Sequence, residues 1–120
     1  MRRVKSSVSI KNNYEFRRLY AKGQSAATPY LVVYCRKNRR GQSRLGLTVS
    51  AKLGKAVVRN RVRRRFREIY RLNARRLKPG YDVIIVARTR SVESEYHALE
   101  GAFLAACRRL GILAEGRGEA

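Results

Sequence analysis

Apolar residues recur along the chain with two different periods. Within residues 56–77 they are spaced by four, four, three and three positions, as on one face of an α-helix. This predicted stripe consists of Val58, Val62, Phe66, Ile69 and Leu72. Leu45, Leu47 and Val49 alternate instead with small or polar residues, which predicts a strand with one buried face.

Two more segments, 30–35 and 81–87, are rich in β-branched and aromatic residues and therefore predict strands. We expect residues 30–35 to form an antiparallel pair with the strand at 45–50, with the basic loop 36–43 between them. Residues 81–87 are continuously apolar at their centre, which indicates a strand covered on both faces.

Two further helices are predicted near the ends of the chain. Asn12 is the expected N-cap of the first, with Glu15 reaching back to it in a capping box, and Gly23 is expected to end it in the left-handed conformation. The last helix is predicted from about residue 92 to residue 110, before Gly111. Its apolar stripe consists of Tyr96, Leu99, Phe103, Cys107 and Leu110.

The predicted order of elements is α-β-β-α-β-α, which is typical of an α+β fold. We expect a two-layer sandwich in which one small mixed sheet carries its helices mainly on one face, within a single domain spanning residues 1–120. The segments 1–10 and 114–120 are expected to be flexible. The strands on either side of helix 56–77 predict a β-α-β crossover, which is right-handed in most proteins.

The charge of the chain is large and unevenly placed. Lys and Arg total 29 against 8 acidic residues, a formal net charge of +21. Residues 16–67 contain sixteen basic residues and no acidic one. Such a segment repels itself at low salt unless a polyanion neutralises it. Nucleic acid is the polyanion we expect, ahead of an anionic membrane surface or an acidic protein.

Eight of these cations fall within residues 52–67, mostly on the predicted helix. They are Lys52, Lys55, Arg59, Arg61, Arg63, Arg64, Arg65 and Arg67. A solvated charged face is the usual interpretation of such a run, but solvated helices intersperse Glu among their cations, and this run has none before Glu68. Because guanidinium groups bind phosphates in a bidentate way, the run favours RNA-phosphate contacts, to which Asn60 adds a hydrogen-bonding group.

Aromatic side chains accompany the basic segment. Phe16 and Tyr20 share one face of the first helix, and Tyr30, Val32 and Tyr34 share one face of the first strand. Rings beside a basic surface can form a cleft on which single-stranded bases stack, although the same rings could simply belong to the core. The chain has no helix-turn-helix, homeodomain or basic-zipper pattern, so RNA is favoured over duplex DNA.

Composition also bears on other classes of function. Two cysteines, Cys35 and Cys107, and a single His exclude a zinc finger or a disulfide scaffold and indicate reduced thiols in a cytoplasmic protein. No apolar run is long enough to cross a membrane, and the basic start lacks the apolar stretch of a secretory signal. With no close carboxylate pair and no second His, we assign no catalytic side chain and no metal ligand.

One segment carries a specific resemblance. Residues 44–64, RLGLTVSAKLGKAVVRNRVRR, resemble the signature of the bacterial ribonuclease P protein subunit, whose core is G-x-A-V-x-R-N-R-x-[KR]-R. The aromatic first helix that ends in Gly, the Tyr34 strand, the PGYDVIIVAR segment at 79–88 and the closing helix extend the resemblance to most of the chain.

The resemblance implies an α+β sandwich like the second domain of ribosomal protein S5, with a left-handed β-α-β crossover. It implies a subunit of the enzyme that removes the 5′ leader of precursor tRNA, in which the RNA subunit hydrolyses the phosphodiester bond with Mg²⁺. The expected partners are this catalytic RNA and precursor tRNA, with no binding of DNA or membrane.

The resemblance also assigns residues to the two RNAs. The residues implied to contact the catalytic RNA near the cleavage site are Arg59, Asn60, Arg61, Arg63, Arg64 and Arg67, and the same motif contains Lys52. The residues that fall where the family builds its leader-binding cleft are Phe16, Tyr20, Val32 and Tyr34. Position 20 is often Phe in the family, so Tyr20 keeps the ring and adds a hydroxyl. From the residue pattern, Lys55 and Arg65 join the first set and Tyr30 joins the second.

Size and charge alone equally fit a protein of another class, a structural ribosomal RNA-binding protein. Such a protein would sediment with ribosomal subunits and would bind RNA without regard to a 5′ leader. A duplex-DNA architectural protein is a third alternative, but it needs minor-groove wedges or dimer symmetry, and the sequence displays neither.

Overall fold

The computed structural model describes residues 8–114 of the chain. The strands are β1 Val8–Ser9, β2 Gln24–Ala27, β3 Leu31–Lys37, β4 Arg44–Thr48 and β5 Tyr81–Ala87. The α-helices are α1 Asn13–Lys22, α2 Ala56–Asn73 and α3 Tyr96–Leu110, and short 3₁₀ turns occupy Ala51–Leu53, Ala74–Arg76 and Thr89–Glu93. Among residues 8–114, no helix is long and apolar enough to span a bilayer.

The strands form one mixed sheet in the order β1-β4-β5-β3-β2. The expected hairpin between the strands at 30–35 and 45–50 is wrong, because β5 lies between β3 and β4, antiparallel to β3 and parallel to β4. β5 is buried at most positions, as its apolar centre predicts. It is buried because a strand at the centre of this sheet has both of its own faces covered. The parallel pairing of β4 with β5 confirms the β-α-β unit through α2, and the hand of the crossover stays a prediction.

Two strands were not predicted. β2 is short and contains only small or polar residues, so it lacks an apolar alternation, and it pairs antiparallel with β3. β1 pairs parallel with β4, and Ile10 beyond it is buried, so residues 8–10 take part in the fold although they were expected to be flexible. The remainder of the two segments expected to be flexible, residues 1–7 and 115–120, lies outside the described residues.

The α+β class is confirmed: one small mixed sheet carries two of its three described helices on one face and the third on the other. α2 and α3 pack on one face, where Phe66 and Phe103 are fully buried against Val33 and Ile85 in the larger core cluster. α1 lies on the opposite face, where it is the only helix among residues 8–114. There Leu19 packs with Ile10 and Ile84 in a smaller cluster.

The ends of α1 differ in detail from the prediction. Asn12 is the N-cap, and its Oδ1 accepts a hydrogen bond of 2.9 Å from the Tyr14 amide. Glu15 does not reach back to Asn12, because its carboxylate binds Arg44 instead. Gly23 is extended rather than left-handed, and it is needed for a close approach: an added Cβ would lie 2.7 Å from the Leu19 carbonyl oxygen.

The apolar stripes of the two longer helices are largely confirmed. In α2, Val62, Phe66 and Ile69 are buried, but Leu72 is 55% exposed and Tyr70 is buried in its place. The ring of Tyr70 meets that of Phe103 on α3 at a centroid distance of 6.4 Å. α3 begins at Tyr96, later than predicted, because residues 89–93 form a 3₁₀ turn. It ends at Gly111 as expected, and Gly111 adopts the left-handed conformation.

Candidate nucleic-acid interface

Three aromatic rings meet on the α1 face of the sheet. The centroid of the Tyr20 ring lies 6.3 Å from that of Phe16 and 4.9 Å from that of Tyr34, the latter in an edge-on arrangement. Phe16 and Tyr34 are half-buried and Tyr20 is 37% exposed. These three rings are called the aromatic cluster below. One side of the cluster is packed against the protein, and the exposed side offers a surface on which a nucleobase can stack.

Strand β4 shapes the floor of the aromatic cluster. A Cβ added at Gly46 would lie 2.8 Å from Phe16 Cζ, so the absence of a side chain at Gly46 allows the Phe16 ring to lie against the sheet. The hydroxyls of Tyr20 and Thr48 share a hydrogen bond of 2.6 Å. The hydroxyl that distinguishes Tyr20 from Phe therefore ties its ring to β4.

The other two residues predicted for the cleft are Val32 and Tyr30, which differ in their surroundings. Val32 is half-buried on the same face of β3 as Tyr34 and pairs with Val86, which belongs to the smaller core cluster. Tyr30 precedes β3 and packs against the larger core cluster. The structure thus brings together Phe16, Tyr20 and Tyr34, keeps Val32 on their side of the sheet, and gives Tyr30 a core contact.

The predicted cationic run lies along the exposed side of α2 and the turn before it. Among residues 8–114, none of its eight Lys and Arg side chains has a carboxylate within ion-pair distance. Lys52, Lys55, Arg61, Arg64 and Arg67 are exposed. A folded protein that leaves such a row of charges uncompensated has a surface suited to a polyanion.

Several residues of the run have additional structural contacts. Arg59 Nε donates to the Gly54 carbonyl at 3.0 Å, and Arg63 Nη1 donates to Asn60 Oδ1 at 2.9 Å, so both guanidinium groups are held in place on the surface. Arg65 differs from its neighbours. Its Nη2 donates to the Ser94 carbonyl at 2.7 Å and ties α2 to the segment before α3.

A groove of about 200 Å³ separates α2 from the edge of the sheet. Arg63 and Arg67 line it from the helix, and residues 9–11 and 45–47 line it from the strands. Gly46 belongs to this groove and also lies beneath Phe16. The basic helix and the aromatic cluster are therefore adjacent at Gly46 although they lie on opposite faces of the sheet.

An ion-pair network centred on Arg44 was not predicted. Arg44 Nε donates to Asp82 Oδ1 at 2.9 Å and Nη2 donates to Oδ2 at 2.8 Å, while Nη1 donates to both oxygens of Glu15 at 3.2 Å. Asn38 Nδ2 donates to Asp82 Oδ1 at 2.7 Å. The signal for this network was Asp82 itself, an acidic residue within an apolar strand, which requires a partner.

The pairing of Arg44 with Asp82 shifts the pKa values of both residues. Burial acts to raise the pKa of Asp82, but hydrogen bonds from Arg44 and Asn38 outweigh it and hold that pKa below its usual value. The same hydrogen bond to Asp82 raises the pKa of Arg44. The network thus joins α1, β4 and β5 through ion pairs centred on Arg44.

Beside the network lies a second basic surface, a cavity of about 440 Å³ between α1 and the β3–β4 loop, called the basic recess below. The cations that line it are Arg18, Arg36, Lys37, Arg39, Arg40 and Arg44. The carboxylates in its lining are Glu15 and Asp82, both held by Arg44. The recess is therefore strongly cationic. Of these cations, the sequence predicts Arg36, Lys37, Arg39 and Arg40 only as part of a basic loop, and Arg36 and Lys37 belong to β3 instead.

Other side chains give little indication of chemistry. Cys35 and Cys107 are buried free thiols whose pKa values burial raises to about 11 and about 12. His97 is exposed, as its position off the apolar stripe predicts. Within the part of the chain that the structure describes, no group of three or more His, Cys, Asp or Glu side chains is placed to hold a metal ion.

Comparison with known sequences places this chain among related proteins. The family profile described as Ribonuclease P matches residues 4–111. A Ribonuclease P protein component from Natranaerobius thermophilus is 42% identical over 106 residues, which cover 88% of this chain and 92% of the relative. One from Clostridioides difficile is 45% identical over 92 residues, which cover 76% of this chain and 81% of the relative.

Solved structures of RNase P proteins share this fold. The RNase P protein of Staphylococcus aureus has a TM-score of 0.79 and 30% identity over 89% of this chain and 98% of that one. The RNase P protein of Thermotoga maritima has a TM-score of 0.78 and 30% identity over 84% of this chain and 96% of that one. Because the family profile and the relatives each span most of the chain, this protein belongs to the ribonuclease P protein family.

Proposed function

We propose that this chain is the protein subunit of a ribonuclease P that removes the 5′ leader from precursor tRNA. In this proposal α2 and the turn before it bind the catalytic RNA, and the aromatic cluster binds the leader. The observation that carries the proposal is the row of eight cations at residues 52–67 with no carboxylate partner among residues 8–114, adjoining exposed aromatic edges at Gly46.

The protein's contribution is binding rather than bond breaking. Two polyanionic RNAs repel each other, and a surface of fixed guanidinium groups between them lowers that repulsion. Stacking of leader bases on Phe16, Tyr20 and Tyr34 then favours a precursor over mature tRNA, which lacks those bases. We assign hydrolysis to the RNA subunit and Mg²⁺ to that RNA and its substrate.

The proposed partners and the two thiols both bear on where the protein is found. Precursor tRNA and the catalytic RNA are the partners we propose, and DNA and membranes are not. The cytoplasmic location expected from Cys35 and Cys107 stays a prediction, with which their burial as free thiols is compatible.

The ribosomal alternative is not favoured, because the matching family profile, relatives and solved structures are ribonuclease P proteins. The two hypotheses still differ in an observable way. A ribosomal protein would sediment with ribosomal subunits and would bind precursor and mature tRNA alike.

The decisive experiment is a precursor-tRNA cleavage assay at limiting Mg²⁺ with the protein alone, the catalytic RNA alone and the two together. We expect no cleavage by the protein alone, and a lower Mg²⁺ requirement and tighter precursor binding when it joins the RNA. Cleavage by the protein alone, or an unchanged Mg²⁺ requirement, would contradict the proposal.

A further inference from the structure

The basic recess lies where a single-stranded RNA bound to the aromatic cluster would continue. α1 runs alongside β4: Tyr20 meets Thr48 and Phe16 meets Gly46. Glu15 meets Arg44 at the start of β4. The rings therefore follow one another toward the end of the sheet where Arg44, Asp82 and the β3–β4 loop form the recess.

The start of the basic helix lies at the other end of this axis. After β4 ends at Thr48, a 3₁₀ turn at Ala51–Leu53 leads into α2, so the start of α2 lies far along β4 from Arg44. α2 also packs on the opposite face of the sheet from α1. The recess is thus a separate cationic surface, with the aromatic cluster between it and the start of the basic helix.

Charge in the recess is arranged for an external anion. Arg44 is only 11% exposed and satisfies both Glu15 and Asp82. Arg40 lies 3.8 Å from Glu15 as a weak additional pair. No carboxylate within residues 8–114 lies within ion-pair distance of Arg36 or Arg39. Arg36 shares the α1 face of β3 with Tyr34, so its guanidinium group belongs to the same surface as the rings.

We propose that the basic recess binds backbone phosphates of the precursor's 5′ leader, at nucleotides farther from the cleavage site than those stacked on the aromatic cluster. The inference rests on the proposed function, because it takes the cleavage site to lie near α2 and the leader to lie on the rings. Phosphate recognition by Arg and Lys carries no base preference, so this contact depends on leader length and not on leader sequence.

The test uses the reconstituted holoenzyme with Arg36→Gln and Arg39→Gln combined. The matched control combines Arg75→Gln and Lys78→Gln, which removes the same charge from exposed positions outside the recess. Equilibrium binding is measured over a range of salt with mature tRNA and with precursors bearing leaders of about 4 and about 16 nucleotides, the range of a single-strand site. A second recess variant, Arg18→Gln, probes the same surface from α1.

For the long leader, we expect the recess variant to bind about five- to tenfold more weakly and to lose about 0.7 of the salt slope for each phosphate contact removed. The short leader, mature tRNA and the catalytic RNA should be bound as tightly as by the control. Equal loss for short and long leaders, or weaker binding of the catalytic RNA, would overturn the inference and assign the recess to another RNA segment.

The two proposals fail in different ways. If the unmodified holoenzyme does not prefer a precursor over mature tRNA, the proposed function itself is wrong. If that preference is present but the recess variants bind the long leader normally, only the recess inference is wrong. Unchanged thermal unfolding of each variant shows that a loss of binding does not come from a loss of fold.

Discussion

Phe16 lies so close to Gly46 that a methyl group at position 46 would be 2.8 Å from its Cζ atom and 3.0 Å from its Cε1 atom. The position of the ring on α1 therefore depends on a residue in β4 that has no side chain. This dependence makes Gly46 a way to move Phe16 without altering the aromatic residue.

We expect Gly46→Ala to displace the Phe16 ring and to weaken precursor binding several-fold. The cost in stability is expected to be about 1 kcal/mol, at the low end of overpacking, because the half-buried ring can swing outward. Gly101→Ala in α3 is the control, since a Cβ there meets nothing within 4 Å and Ala favours the helix. Leader-dependent affinity equal to that of the unmodified protein would show that the placement of Phe16 is not important.

Removal of a ring from the aromatic cluster should affect precursor binding alone. Phe16→Ala or Tyr20→Ala is expected to cost about 1–3 kcal/mol of precursor affinity, the value of one base–aromatic stack, and to leave mature tRNA binding nearly unchanged. Tyr14→Ala is the matched control, because Tyr14 lies on the same helix but is 61% exposed and outside the cluster. Equal losses for precursor and mature tRNA would contradict the assignment of the leader to these rings.

Arg64 and Arg65 are neighbours on α2, but we expect Arg64 to contribute mainly to RNA binding and Arg65 also to stability. Arg64→Ala is expected to weaken assembly with the catalytic RNA and to reduce the salt slope by about 0.7–0.9, with little change in the free energy of unfolding. Arg65→Ala also removes the hydrogen bond to the Ser94 carbonyl and should destabilise the fold by about 1 kcal/mol. Salt-dependent RNA binding and urea unfolding of both variants test this prediction. A loss of stability in Arg64→Ala but not in Arg65→Ala would contradict it.

The Arg44 network predicts how stability depends on pH. Since the pKa of Asp82 is lower in the folded chain than its ordinary value of 3.8, its ionised form stabilises the fold above that value. This stabilisation is lost as the pH falls through the folded pKa. Asp82→Asn should therefore flatten the fall of unfolding free energy below about pH 5, as measured by urea unfolding.

Arg44→Ala should have a larger effect than Asp82→Asn at neutral pH. It leaves Asp82 charged and poorly solvated, at an expected cost of about 3 kcal/mol. Arg44→Lys keeps the charge but loses the paired geometry, so its stability should lie between those of Arg44→Ala and the unmodified protein. An Arg44→Ala variant as stable as the unmodified chain would show that the network does not hold α1 to the sheet.

The two thiols should be unreactive in the native protein. Burial raises the pKa of Cys35 to about 11 and that of Cys107 to about 12, so the thiolate that attacks an alkylating reagent is scarce at mildly alkaline pH. We expect alkylation, followed by mass spectrometry, to proceed at the rate of unfolding and to become fast in denaturant. Rapid modification of the folded protein would contradict the burial of these residues.

The sequence predicted elements better than it predicted their partners. Alternation and helical spacing report which side of an element is apolar, and they located β3, β4, β5 and the three helices. They do not report which strand lies next to which, and so the pairing of β3 with β4 was wrong. Leu72 and Tyr70 lie on opposite flanks of the α2 stripe, and the packing of α3 decides which of them is buried.

The candidate site was foreseen in the same uneven way. The cations of residues 52–67 and the ring pair of α1 are visible as local patterns. The contacts of Phe16 with Gly46 and of Arg44 with Glu15 join residues about thirty positions apart, so no local pattern contains them. The same limit applies to Tyr30, whose place in the alternation of β3 suggested the cleft but whose contact is with the larger core cluster.

The strand at the centre of the sheet is also the last in chain order among the strands of residues 8–114. During translation, β3 and β4 emerge long before β5, and neither can complete its pairing until Tyr81–Ala87 has been made. Many contacts that order the sheet are therefore distant in sequence, so we expect the sheet to be completed only after β5 has been made. A truncated product that stops before β5 carries the polybasic segment without the scaffold that positions it, so it is not expected to compete with finished protein for RNA.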